Sequence, residues 1–196
     1  MDHTEEKTAD LRLSKVMKKL QEGRWDKAAT ALQRLLELEP KNPDLHLNLG
    51  VALFETGQKQ EAIIEYRRCL ESQPNRKEAY YNLGVVYQSI GKLDEAEKAY
   101  LRAIDLGLQT PEVRCNLGNL YRYQKKLQGA IKQYLIAINL NPKFAAAHNN
   151  LAVAFGQQGK LGLSREHSKI ALRLGFPVHP EILEHLRCHT DSTGPK

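Results

Sequence analysis

The chain has 196 residues, 41% hydrophobic and 27% charged, with a formal net charge of +6. This balance suits a soluble domain or a short array of repeats. It excludes a membrane-spanning helix, since no run approaches the roughly eighteen apolar residues one needs. The first twenty residues carry charges throughout and no apolar block, which argues against a secretory signal. Cys69, Cys115 and Cys188 are odd in number and far apart, so free thiols in a reducing compartment, and hence a cytoplasmic location, are expected.

Residues 1–8 are read as a flexible tail. From there the chain repeats. "GRWDKA" (23–28), "GQKQEA" (57–62), "GKLDEA" (91–96), "KKLQGA" (125–130) and "GKLGLS" (159–164) each begin 34 residues after the last. Upstream, "HLNLGVALF" (46–54), "YYNLGVVYQ" (80–88), "RCNLGNLYR" (114–122) and "HNNLAVAFG" (148–156) keep the same register. Five units follow: 9–42, 43–76, 77–110, 111–144 and 145–178.

Each unit reads as two helices. In the third, Tyr80, Leu83, Gly84 and Tyr87 share one helical face, and Ala96, Tyr100, Ala103 and Ile104 share another. Gly91 separates them. Gly84 and Ala96 are expected to let the two helices approach, with Tyr87 and Tyr100 filling the space around that contact. Pro40, Pro74 and Pro142 end second helices, because the residue before proline avoids helical angles. Gly107 and Gly175 replace that signal where proline is missing.

The end units are worn. The first carries Lys15-Val16 where others have Leu-Gly, and the fifth has Ser164 and Ser168 in place of Ala and an aromatic. Terminal repeats differ because one of their faces meets water. Beyond them, 179–189 is expected to form a capping helix with an Ile182, Leu183 and Leu186 stripe, and 190–196 a disordered tail.

The period, the pairs Leu49-Gly50, Leu83-Gly84 and Leu117-Gly118, the aromatics Tyr87, Tyr121 and Phe155, and the column Ala28, Ala62, Ala96 and Ala130 closely resemble the tetratricopeptide repeat (TPR) family. The resemblance covers residues 9–178. It implies an all-α, right-handed superhelical solenoid of five helix pairs whose first helices line a concave surface.

Asn48, Asn82, Asn116 and Asn150 occupy one place in four successive units. An amide both donates and accepts, as does each peptide unit of an extended chain. A row of asparagines can therefore hold a peptide by its backbone. The repeat arm of the O-linked N-acetylglucosamine transferases, which "KFAAAHNNLAVAFGQQGKL" (143–161) resembles, uses such a ladder. The alternative is that the amides bond within their own helix pair. By register Leu47, Val51, Phe54, Tyr81, Val85, Cys115, Asn119, Arg122, Tyr123, Asn149 and Val153 are expected in the same groove. Cys115 would there lie near Arg114 and be open to reaction.

Charge is uneven. Unit 111–144 has six basic side chains against Glu112 alone, a net of +5, and unit 145–178 has four against Glu166, a net of +3. An acidic partner would be steered to this half. Some TPR domains grip acidic chaperone tails through lysines one turn before the asparagines. Those places hold Leu47, Val51, Tyr81, Val85, Cys115 and Asn119, so this function is not expected.

No catalytic fingerprint, nucleic-acid module or cofactor motif appears. In "HLRCH" (185–189), Cys188 points away from His189, so a metal site is not expected. The reading is a non-catalytic scaffold or adaptor that holds an extended peptide. Its rivals are an assembly protein that uses convex or terminal faces, self-association included, and an accessory subunit of an enzyme.

Overall fold

The computed structural model describes residues 14–177, and among these every regular element is a helix. The flexible tail 1–8, the start of the first unit, the capping helix 179–189, the "HLRCH" cluster and the tail 190–196 lie outside the described residues. The chain divides into two compact units on either side of the Gly107–Leu108 bond.

The first unit contains α1 (residues 14–21), α2 (Trp25–Leu38), α3 (Pro43–Glu55), α4 (Lys59–Ser72), α5 (Lys77–Ser89) and α6 (Leu93–Asp105). The second contains α7 (Pro111–Tyr123), α8 (Leu127–Leu140), α9 (Ala145–Gln157) and α10 (Leu161–Arg173). Helices pair as hairpins: α3 with α4, α5 with α6, α7 with α8, α9 with α10. Neighbouring hairpins join through α2 against α3 and α4 against α5 in one unit, and α8 against α9 in the other. The first helices also touch, α3 with α5 and α7 with α9.

Local chemistry sets the helix ends. Asn42 Oδ1 accepts from the Asp44 and Leu45 N–H groups at 3.0 and 3.3 Å, capping α3 ahead of Pro43. Helices α2, α4 and α8 stop two residues before Pro40, Pro74 and Pro142. Helices α6 and α10 stop before Gly107 and Gly175, at φ +88° and +79°. The turn between the helices of a hairpin also needs a left-handed residue, supplied by Gly91 at φ +77°. The fourth unit uses Lys125 at φ +60° instead, where its Cβ costs roughly 1–2 kcal/mol.

The core repeats one packing device. A Cβ built on Gly84 would stand 2.5 Å from the Tyr100 ring; Gly50 meets Tyr66 and Gly118 meets Tyr134 in the same way. The three tyrosines are fully buried. Where Gly84 is expected to let the helices approach, the atoms nearest it are those of the flat face of Tyr100. Ala96 is buried as well, but helical periodicity names a face and not the residue across it. The end hairpins exchange both partners. Val16 and Leu32 occupy these two places in α1 and α2, and Ala152 and Ser168 in α9 and α10, all buried. A larger residue on one helix thus accompanies a smaller one on the other.

Candidate functional site

Backbone hydrogen bonds are satisfied inside each helix, so side chains on the first helices decide what the proposed groove can offer. In the first unit Asn48 and Asn82 are half-buried, each next to a buried leucine, Leu49 and Leu83. Neither amide bonds to another described residue. Val51, Phe54, Tyr81 and Val85 are half-buried around them. The Tyr81 ring leans on Tyr100 with centroids 6.1 Å apart. Leu47, expected in the groove, is instead buried in the core.

The second unit uses its amides differently. Asn150 Nδ2 donates to Asn119 Oδ1 at 3.0 Å and lies 3.2 Å from Cys115 Sγ. Asn149 Nδ2 donates to Asn150 Oδ1 at 3.4 Å, and the Tyr134 hydroxyl donates to Asn119 Oδ1 at 2.8 Å. Asn119 is therefore a shared acceptor between α7, α8 and α9. Asn149 Oδ1 is buried with no donor among the described residues. Asn116 is half-buried and has a partner of its own.

The difference between the units follows from one position. Asn119 stands where α3, α5 and α9 carry Val51, Val85 and Val153. At the offsets that join Asn150 to Asn119 and Cys115, Asn82 corresponds to Val51 and Leu47. Neither side chain can accept from an amide, so Asn82 keeps its hydrogen-bonding capacity and Asn150 does not.

Cys115 belongs to the core and not to an open groove, being 4% exposed. Burial pushes its thiol up to about 11, with the Asn150 hydrogen bond opposing that shift. A thiol so rarely ionised is a poor nucleophile, which removes the reactive role expected beside Arg114. Cys69 is also buried, and its thiol is pushed up for the same reason.

Arg122 and Tyr123 end α7. The guanidinium carbon lies 5.5 Å from the centre of the Tyr123 ring, and Tyr123 itself is 63% exposed. Tyr134 is pushed up to about 12 by burial, and the Arg122 hydrogen bond and charge pull the other way.

A second set of polar residues, legible only at a fixed offset of nineteen, joins the two helices of a hairpin. His46 Nδ1 lies 2.6 Å from Glu65 Oε2, Arg114 donates to Gln133 Oε1 at 3.2 Å, and His148 Nδ1 lies 3.0 Å from His167 Nδ1. His46 Nε2 and His148 Nε2 donate to the Pro40 and Pro142 carbonyls at 2.9 and 3.0 Å, tying each first helix to the turn before it. These histidines are packing and clamping groups. Among the described residues no group of three or more His, Cys, Asp or Glu side chains could hold a metal, and no helix is long and apolar enough to cross a membrane.

Comparison with known proteins agrees with the hairpins. Family models described as "Tetratricopeptide repeat" match residues 15–76 and 78–106, and one described as "TPR repeat" matches 118–159. The solved structure of MamA is 27% identical, with a TM-score of 0.72 over 81% of this chain and 92% of that one. PilF of Pseudomonas aeruginosa is 22% identical, with a TM-score of 0.81 over 92% of this chain and 82% of that one. YrrB, described as a TPR protein with an unusual peptide-binding site, is 19% identical, with a TM-score of 0.70 over 81% of each chain. No curated protein matches the chain in sequence. The 34-residue period, the glycine–tyrosine hairpins and the three matched segments together mean that the chain belongs to the tetratricopeptide repeat family.

Proposed function

We propose that the chain is a non-catalytic scaffold whose first helices hold an extended segment of a partner protein, largely by its backbone. The observation that carries this reading is the Asn82 amide. It is half-buried, unspent among the described residues, and bordered by the half-buried Tyr81 and Val85. Asn48 repeats the arrangement on α3, beside Val51 and Phe54. An amide with an unused donor and acceptor can bond a peptide C=O and N–H together, whatever side chain follows. In the second unit Asn116 stands at the same repeat position on α7 with a partner of its own, and Asn150 at that position on α9 holds α9 against α7.

Magnitudes assign the remaining work. One net hydrogen bond contributes roughly 0.5–1.5 kcal/mol, whereas micromolar binding needs about 8 kcal/mol. In the first unit, apolar contacts with Phe54, Tyr81 and Val85 must supply the rest. The basic second unit favours an acidic partner through long-range attraction, a preference that weakens as salt rises. YrrB shares the fold and is described as binding peptide, which is consistent with this use of the architecture.

A second reading rests on Leu135, Leu161 and Leu163, exposed on the second helices α8 and α10. Apolar side chains there suit assembly through the opposite face, self-association included.

The test is a fluorescence-polarisation titration of the full chain with labelled decapeptide pools of random sequence. Changing Asn48→Ala and Asn82→Ala together should weaken binding about tenfold, two lost hydrogen bonds at ~0.7 kcal/mol each. Helix content should not change. Full-strength binding by the double variant contradicts the groove and leaves the second-helix face as the reading to pursue.

A further inference from the structure

The partly buried arginine of the first unit, Arg76, is paired with carboxylates, and the exposed Arg68 is paired as well. Arg76 reaches Asp44 at 2.8 Å and Glu78 at 2.9 Å. Arg68 reaches Glu65 at 2.8 Å. In the second unit Arg122 is half-buried, yet no described carboxylate lies within ion-pair distance of it. Its Nε makes no hydrogen bond among the described residues, which is equally true of Arg76 and Arg114, so the missing carboxylate is what sets Arg122 apart from Arg76. What surrounds it is aromatic: the exposed Tyr123 ring at 5.5 Å, and Tyr134, whose hydroxyl donates to Asn119 and accepts from the Arg122 guanidinium, so that a neutral phenol and no anion meets the charge. The corresponding position on α9 is Gly156, which adds no side chain to the row.

Withdrawing a guanidinium from water without an anion is costly, and a partner carboxylate offsets that cost. A face-on aromatic ring holds the guanidinium plane in place while leaving its hydrogen-bonding edge available. The fork then matches both oxygens of one carboxylate. Arg114, at the other end of α7, is different, since its two terminal nitrogens are taken by Gln133 and Gln109 at 3.2 and 2.6 Å.

We propose that Arg122, backed by Tyr123, is a carboxylate receptor in the second unit, reading an acidic side chain or a chain-terminal carboxylate on the segment held there. This rests on the peptide-holding reading and adds a chemical preference to it. It also gives the exposed Tyr123 a role beyond apolar contact, as the plate on which the guanidinium is presented.

Three labelled decapeptide pools test the idea with the full chain. One has neutral random residues around a fixed central Glu and an amidated end. The second replaces that Glu with Gln. The third is neutral throughout with a free C-terminal carboxylate. At least one carboxylate pool should bind about tenfold tighter than the Gln pool, and the pool that gains identifies the source. Arg122→Gln should abolish the gain, Arg122→Lys should keep only a small part of it, and Arg114→Gln should leave it in place. Equal binding of all three pools, or a gain that survives Arg122→Gln, overturns the receptor while leaving the groove intact. If the wild-type chain binds none of the pools, the groove reading fails and the receptor with it.

Discussion

His148 Nε2 donates to the Pro142 carbonyl, so in the neutral ring its Nδ1 is the acceptor. His167 Nδ1 must then be the donor across the 3.0 Å gap between α9 and α10. The two rings stack with centroids 5.2 Å apart, and Phe155 stacks with His167 as well, at 5.8 Å. Burial lowers the pKa of His167, the neighbouring His148 lowers it further, and Glu166 acts in the opposite sense. The unfolded chain therefore takes up this proton more readily than the folded one. The stabilisation is fully present above the ordinary value of about 6.5 and is lost as pH falls through the lower folded value. Thermal melts at pH 7.5 and 5.0 should show a larger loss for the wild type than for His167→Gln. An identical pH dependence would contradict the pairing. At the same place in the second repeat His46 meets the Glu65 carboxylate at 2.6 Å instead of a second histidine.

At the scale of the helix pair, the governing contact is glycine against a tyrosine face. Adding a methyl group at Gly84 puts it 2.5 Å from the Tyr100 ring, whose hydroxyl is fixed by Gln88 at 2.9 Å. Gly84→Ala should cost about 1–3 kcal/mol. Gly162→Ala in α10, where the added Cβ meets nothing, should be neutral or slightly stabilising. Urea unfolding of both variants checks this, and equal stabilities would contradict the packing account. The helices themselves were legible from the sequence because Gly91, Gly107, Pro40 and their equivalents punctuate a fixed period. The partner across the hairpin was not legible: a period of 3.6 residues shows that Gly84, Ala96 and Tyr100 face inward, not which of them meet. Leu47 and Cys115 were misplaced for a related reason. Both sit at the border between two faces, where the neighbouring helix decides whether water reaches them. The fate of Asn150 depended on Asn119, thirty-one residues earlier on another helix, and no local pattern carries that information.

Across the molecule, each unit builds its core from contacts between hairpins adjacent in sequence, as stacked repeats do. Such a core leaves the first helices free to vary, and here they vary between units. The first unit presents amides that have kept their hydrogen bonds in reserve, among apolar side chains. The second spends Asn150 and Asn119 on its own structure and offers Arg122 and Tyr123 in their place. The central claim is that the reserved amides read backbone. The most direct measurement compares one random decapeptide pool with the same pool methylated at every backbone nitrogen, each titrated against the full chain by fluorescence polarisation. Binding through the Asn48 and Asn82 amides predicts that methylation weakens association at least tenfold in the wild type, and much less in the Asn48→Ala, Asn82→Ala variant. Equal binding of the plain and methylated pools by the wild-type chain would contradict the claim.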